Sequence, residues 1–303
     1  MCIFTVFTPT YNRAHSLLRV YESLKRQTFK DFEWLIVDDG STDGTRDIVE
    51  TWLHEREICI RYFWQLNGHK KTAFNNGVSK SKGKFFIVLD SDDEAMPHAL
   101  EVLYRAWNEI PPSEQSYFCG VTGLCRTQDG DIVGSLFPYD VFDCDVPTLV
   151  YRFRVTGEKW GFHRTDLLKE FPFPEDIKGH VPEGIVWKAI GTRYKTRWIN
   201  EVVRIYYSEV DSITNSSRRD KNFGLHAEGL ALWAREELDN YISFVKYNPL
   251  WFIRMAVNYT RFHLHLRYNK SDRRWKLRRF TSRVLVFVVS PVGFLLYCRD
   301  RLI

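Results

Sequence analysis

Apolar runs and polar breaks alternate through the first hundred residues in a strand and helix rhythm. Residues 2–8 (CIFTVFT) form a β-rich apolar run. Leu17, Val20, Tyr21 and Leu24 then recur at helical spacing and mark one buried face. Residues 32–37 (FEWLIV) read as the next strand, which stops at Asp38-Asp39-Gly40. Ile48, Val49, Trp52 and Leu53 give a second helical face, and residues 58–63 a third strand. A helix follows over 72–81, then a fourth strand over 84–89 (KFFIVL) that ends at Asp90. Pro97, at the favoured first helical position, is predicted to open a helix carrying Leu100, Leu103 and Trp107. Strands alternating with helices in this way predict a parallel sheet covered on both faces.

From about residue 117 the pattern turns antiparallel. Residues 117–125, a turn at Asp129-Gly130 and residues 132–137 predict a hairpin. A loop-rich stretch leads to 179–187, where a helix is predicted to begin near Glu183, and 198–207 reads as a further strand. Beyond about residue 211 the chain becomes helical and basic. The expected division is a catalytic domain over 1–210 and a C-terminal helical region over 211–303.

Charge sharpens that division. The net charge is +5, but residues 246–303 hold 13 Lys and Arg against 2 Asp and Glu. The rest of the chain, with 30 basic against 36 acidic residues, is mildly acidic. A basic tail of this kind binds nucleic acid or anionic lipid. With 44% apolar and 27% charged residues the chain is a folded protein rather than a disordered one. The six cysteines form no C-x-x-C pair, which reads as small buried side chains in a reducing compartment. No secretory signal opens the sequence. The most apolar run, residues 284–297, is shorter than a bilayer span and interrupted by Ser290, Pro291 and Gly293.

In parallel sheets ligands bind at the carboxyl ends of the strands, and polar clusters stand there. Thr8-Pro9-Thr10-Tyr11-Asn12-Arg13 follows the first strand, Asp38-Asp39-Gly40-Ser41 the second, and Asp90-Ser91-Asp92-Asp93 the fourth. Carboxylates crowded on one turn repel each other unless a cation lies between them. Hard oxygen ligands one residue apart suit Mg2+ or Mn2+ bridging a diphosphate. A solvated acidic turn, or a cap for the next helix, is the plainer alternative for that segment alone. In the second loop a strand-end carboxylate suits a base N–H or a ribose hydroxyl. Capping accounts for Ser41 and Asp43 but not for both Asp38 and Asp39. In the first loop Tyr11 offers a face for a base and Arg13 a guanidinium for a phosphate. Taken alone, it is equally an ordinary turn capped by Asn12.

The order TPTYNR, WLIVDDGSTDGT and KKTAFNNGVSKSKGKFFIVLDSDD resembles the family 2 glycosyltransferases of the GT-A fold, over roughly the first 110 residues. The resemblance implies an α/β fold, a mixed nucleotide-sugar-binding sheet flanked by helices. It implies a nucleoside diphosphate sugar donor, by preference a UDP-sugar, with Mn2+ or Mg2+ at the Asp-x-Asp loop and inversion at the sugar. Pro9, Tyr11, Asp38 and Asp39 match the family's nucleoside-binding residues. Thr8, Arg13, Lys70, Asp90 and Ser91 complete the expected donor site. Asp90 and Asp92 match the Asp-x-Asp pair, with Asp92 the expected direct metal ligand and Asp93 in support. One departure is Phe74, which stands before Asn75 where many members carry an Arg. Lys70 or Lys71 is expected to supply that charge. Pro182-Glu183-Gly184-Ile185-Val186-Trp187 resembles a Pro-Glu-x-x-x-Trp segment of polysaccharide-assembly enzymes. It implies Glu183 as general base and Trp187 against a sugar, with Glu175 and Asp176 in reserve. A carboxylate at a helix start is also favoured by the helix dipole alone. Lys159, within Gly157-Glu158-Lys159-Trp160, is a weaker candidate for the diphosphate or acceptor.

The tail mixes aromatics with arginine over 247–268, is almost purely basic over 272–279 and apolar over 284–297. Trp, Tyr, Arg and Lys flanking an apolar stretch match an interfacial membrane segment, and clustered cations add attraction to anionic lipid. Single-stranded nucleic acid suits aromatics and cations too, but does not account for the apolar run, so no nucleic-acid partner is expected. A helical lid with solvated charges is the other reading. The expected protein is thus a peripheral enzyme on the cytoplasmic face of the cell membrane, glycosylating a glycan or lipid-linked acceptor. Two rivals are a nucleotidyltransferase, which would need a Gly-rich phosphate loop where TPTYNR has none, and a sugar-nucleotide binder without turnover.

Overall fold

The computed structural model describes residues 2–207, 226–271 and 275–302. The chain forms two compact units. One comprises Met1–Leu149, Val155–Phe173 and Ala189–Glu209; the other comprises Val150–Arg154, Pro174–Lys188 and Val210–Ile303.

Within the first unit the described residues build one sheet. Its strands are β1 (Phe4–Thr10), β2 (Phe32–Asp38), β3 (Ile60–Trp64), β4 (Phe85–Val88), β5 (Glu94–Ala95), β6 (Phe118–Arg126), β7 (Val141–Cys144), β8 (Lys159–Arg164) and β9 (Lys195–Ile205). The helices between them are α1 (Ala14–Lys25), α2 (Thr45–Glu55), α3 (His69–Lys80), α4 (Ala99–Asn108) and α5 (Thr165–Glu170). The strand order is β3-β2-β1-β4-β8-β6-β9-β5, with β7 also on β9. The first four strands are mutually parallel, β8 runs antiparallel to β4 and β6, and the sheet is therefore mixed.

The sequence pattern explains why these elements form. All seven positions of β2 are buried, as a strand covered on both faces requires. Leu17, Val20, Tyr21 and Leu24 are the buried stripe of α1. Phe4, Phe85, Trp107 and Phe162 meet where β1, β4 and β8 adjoin; the rings of Phe85 and Phe162 lie 4.3 Å apart, centroid to centroid. Truncating Phe85 there would cost about 3–5 kcal/mol.

Three expectations are corrected. The hairpin is not completed: Arg126 bridges Ile132, but residues 132–137 form no strand. Gly134, at φ +80°, turns the chain aside, and its Cα lies so close to Thr156 and Gly157 that a Cβ would meet the Thr156 carbonyl oxygen at 2.1 Å. Pro97 precedes α4 rather than opening it, because His98 is the N-cap.

The third correction concerns the tail. The second unit holds α7 (Ala227–Tyr241), α8 (Pro249–Tyr268) and α9 (Phe280–Leu302). Helix α9 runs unbroken for 23 residues through Pro291, and by length and composition it is apolar enough to cross a membrane. Proline removes the N–H that would bond the Phe287 carbonyl. The Ser290 hydroxyl donates to that carbonyl instead, at 2.9 Å. Helix α8 starts with Pro249 in its first turn and the Asn248 side chain accepting from the Trp251 N–H. A buried ion pair links Lys188 to Glu237, whose carboxylate also accepts from the Tyr151 hydroxyl at 2.5 Å and the Trp251 indole at 2.7 Å. The boundary between the units falls inside α6 (Gly184–Arg193), between Lys188 and Ala189.

Candidate active site

Because β1, β2 and β4 are parallel neighbours, the loops that follow them share one edge of the sheet. Thr10 pairs with Asp38 at the end of the β1–β2 ladder, which sets the first two loops side by side. They are laced together. The Asn12 N–H donates to the Ser41 hydroxyl at 2.9 Å, and the Asn12 side chain accepts from the Thr42 N–H at 2.8 Å. Asn12 adopts the left-handed conformation, φ 51°, which asparagine tolerates better than most residues. Asp43 accepts from the Ala14 N–H at the start of α1 and from the Thr45 N–H at the start of α2. Burial works against its ionisation, but these bonds and one from the Thr45 hydroxyl hold its carboxyl below the ordinary range. Tyr11 projects from this joint with half its surface exposed.

The two carboxylates of the second loop are buried. Asp38 accepts from the Ser41 N–H at 2.7 Å and from the Tyr62 hydroxyl at 2.6 Å. Burial and this bond push the Tyr62 hydroxyl well above its ordinary range. Asp39 accepts from the Gln65 amide at 2.7 Å and the Gly68 N–H at 2.9 Å, both on its Oδ1. Thr8 is buried, donating to the Leu89 carbonyl and accepting from the Trp34 indole, so it ties β1 to the chain entering the fourth-strand loop. Pro9, in the β1 ladder, pairs with Val37. The Arg13 N–H donates to the Thr45 hydroxyl at 3.3 Å.

In the third loop Asp90, Ser91 and Asp92 lie on a turn between β4 and β5. Lys70, on the second residue of α3, places its ammonium 2.8 Å from Asp90. Burial opposes ionisation of Asp90, yet Lys70 holds its carboxyl below the ordinary range. Ser91 is buried and Asp92 half-buried. The Arg19 guanidinium donates to the Asp92 carbonyl at 2.6 Å and stacks 3.7 Å from the Tyr207 ring. Asp93 faces away from this role. Its buried carboxylate lies 3.2 Å from Arg204 and accepts from the Tyr207 N–H. Burial pushes that carboxyl up, Arg204 pulls it back, and Asp90 adds to the rise, to about 7.

Among the described residues no group of three or more His, Cys, Asp or Glu is assembled that would cage a metal ion. Mg2+ and its kin are commonly held by one or two carboxylates plus substrate phosphates and water. Asp90 and Asp92, with hard oxygens on one turn at the sheet edge, fit an ion that arrives with a diphosphate.

Phe74 is buried, with Phe173 at 4.9 Å, Phe86 at 5.5 Å and Phe7 at 5.9 Å. The position where many relatives of the resembled family carry Arg thus belongs to the core here. Lys159 directs its ammonium at the carbonyls of Val133 and Thr156, at 3.1 and 2.7 Å. Glu183 and Trp187 belong to the second unit. Glu183 is half-buried at the start of α6, and its carbonyl accepts from the N–H groups of Val186 and Trp187.

Tyr62, Gln65, Arg19 and Arg204 escaped the reading of the sequence. Tyr62 lies within β3, the strand beside β2, and Gln65 just after it. Arg204 interrupts an apolar strand run, and a charge so placed demands a buried partner.

Residues 5–120 match Glycosyl transferase family 2. A GalNAc(5)-diNAcBac-PP-undecaprenol beta-1,3-glucosyltransferase of Campylobacter jejuni is 29% identical over 220 residues, 69% of this chain and 66% of that protein. The chain thus spans just under two thirds of that relative's length, and less of Glycosyltransferase GlyG of Streptococcus pneumoniae, at 44%. Residues 1–349 of S. aureus TarS, solved in complex with UDP, superpose with a TM-score of 0.58 at 18% identity, covering 98% of this chain and 91% of that one.

Proposed function

The chain carries a family 2 glycosyltransferase domain on a GT-A fold, and from that premise we propose that it transfers a sugar from a UDP-sugar, with inversion, to a hydroxyl of a glycan or lipid-linked acceptor. The observation that carries this reading is the convergence of three strand-end loops on one sheet edge, with Lys70 paired to Asp90 on the third. UDP is favoured because the similarly folded TarS was solved with UDP. Divalent metal use is favoured because the mannosyltransferase PcManGT of Pyrobaculum calidifontis, TM-score 0.55, 15% identical and covering 99% of this chain and 82% of that one, was solved with GDP-Man and Mn2+. A lipid-linked acceptor is favoured by the C. jejuni relative, whose name carries a PP-undecaprenol-linked glycan. The setting is assembly of a surface polysaccharide at the cytoplasmic face of the cell membrane, with the basic C-terminal region against the lipid.

Asp92, with Asp90, would hold Mn2+ or Mg2+. The ion, when bound, supplies positive charge against the diphosphate leaving group. Tyr11 offers its exposed ring to the base, and Asp39, with Asp38 behind it, orients the nucleoside. Lys70 stands where its ammonium can turn from Asp90 to a phosphate. Glu183 accepts the proton of the acceptor hydroxyl as that oxygen attacks the anomeric carbon and the bond to the diphosphate oxygen breaks. Positioning of donor and acceptor supplies the remainder of the barrier reduction.

The test incubates the purified chain with UDP- and GDP-sugars, Mn2+ and membrane extract, and measures nucleotide release. Release from one donor that requires metal and is lost in both Asp92→Ala and Glu183→Gln is the expected result. Release that survives Glu183→Gln would remove that residue from the mechanism, and no release from any donor would overturn the transfer itself.

A further inference from the structure

Helix α9 has two unlike faces. At roughly 100° per residue, Ser282, Leu285, Val289, Gly293 and Asp300 fall on one side and Phe280, Val284, Phe287, Pro291, Leu295 and Leu302 on the other. The first side is docked along its whole length within the second unit. At its start the Asp239 carboxylate accepts from the Arg278 and Arg279 N–H groups, and the Ser282 hydroxyl donates to the Leu238 carbonyl at 2.7 Å. In the middle Gly293 lies so close to α8 that a Cβ would meet the Val257 carbonyl and Thr260 at 2.7 Å. At its end the buried Asp300 carboxylate accepts from Arg261 at 2.5 and 2.6 Å and lies 3.1 Å from His265.

The second side is bare and apolar. Phe280 is 77% exposed, Phe287 81%, Leu295 67% and Leu302 88%. Exposed cations flank it at both ends, Lys276, Arg278, Arg279 and Arg283 at the start and Arg299 and Arg301 at the end. An apolar stripe edged by arginine matches the boundary between acyl chains and anionic head groups. At about 1.5 Å per residue the helix is long enough to span a bilayer. Spanning would draw in α8, with its exposed Arg254 and Arg267 and the buried Arg261–Asp300 pair, at a high cost in hydrocarbon.

We propose that α9 lies flat in one leaflet of an anionic membrane, bedded on α7 and α8 by one face and in lipid by the other. This rests on the reading that the chain works at a membrane, and its test does not depend on sugar transfer. The full chain, with Cys2, Cys59 and Cys298 replaced by serine, receives a single environment-sensitive label at Phe280→Cys, Phe287→Cys, Leu295→Cys or Leu302→Cys. It is mixed with vesicles of phosphatidylcholine with or without phosphatidylglycerol, and label depth is read with lipid-borne quenchers. The expected result is binding to the anionic vesicles alone, with all four labels at a similar shallow depth. Arg279→Gln with Arg283→Gln and Arg299→Gln should weaken binding about tenfold or more, with the far-ultraviolet spectrum unchanged. Labels at the two ends in opposite leaflets, with the middle deepest, would show a span and overturn the proposal. So would failure to bind anionic vesicles together with concentration-dependent dimers, which would give the face to a second copy. A chain that binds vesicles as expected but releases no nucleotide would leave α9 in place and remove only the transfer reaction.

Discussion

Arg19 grips the Asp92 backbone, its guanidinium donating to the carbonyl at 2.6 Å from helix α1. That bond goes to the backbone, and so it fixes where the loop lies. Displacing a loop proposed to position the donor by an ångström is costly to turnover. Arg19→Ala is expected to lower kcat by about tenfold or more and to raise the Mn2+ concentration needed for half activity. Arg19→Lys should recover part of the loss. Steady-state kinetics with a metal titration check this, and an unchanged metal requirement would reduce Arg19 to a packing role.

The Asp93–Arg204 pair is a matter of stability. Both side chains are nearly fully buried, and leaving either charge alone costs about 3–5 kcal/mol. Arg204→Met is expected to destabilise by that order in urea unfolding. Adding Asp93→Leu should restore much of the loss, because the carboxylate left unpaired is then removed as well. Losses that simply add would mean the pair is not coupled.

Tyr62 supports the Asp38 loop from the neighbouring strand. Tyr62→Phe removes one donor from a buried carboxylate, a loss of about 1–3 kcal/mol. Calorimetric titration with UDP is expected to show weaker binding, while Tyr11→Ala, at an exposed site, weakens binding with little change in unfolding.

Acid should loosen the first two loops. The folded carboxyl of Asp43 lies below its ordinary value of 3.8. Its contribution to stability is therefore fully present above that value and is lost as pH falls through the lower folded one. Unfolding followed between about pH 5 and pH 2 is expected to show a smaller acid loss in Asp43→Ala, which never had those bonds. An identical acid profile would remove Asp43 from the account.

Metal removal should silence the enzyme without unfolding it. With two carboxylates and no closed cage among the described residues, a chelator is expected to abolish nucleotide release while leaving Tm unchanged. Mn2+ and UDP together should raise Tm more than either alone.

The first four strands were legible because buried parallel strands read as continuous apolar runs, and the site loops because polar residues cluster after them. What escaped depends on contacts distant in sequence. Nothing local in Arg204 names Asp93 as its partner. Pro291 looks like a helix breaker until Ser290 is seen to satisfy the Phe287 carbonyl. The hairpin failed because Gly134 meets Gly157, a close approach no period reveals. Asp93 read as a support to the Asp90 and Asp92 pair by its company on the turn, while its buried partner is Arg204.

Phe74 limits what can be borrowed from relatives of this family. A designer restoring the arginine common at that position would place a guanidinium among Phe7, Phe86 and Phe173, and the transplant would report on folding before it reported on catalysis. Homology-guided libraries for this chain should therefore hold position 74 constant and look for the missing positive charge at Lys70, which already stands 2.8 Å from Asp90 with its side chain partly exposed.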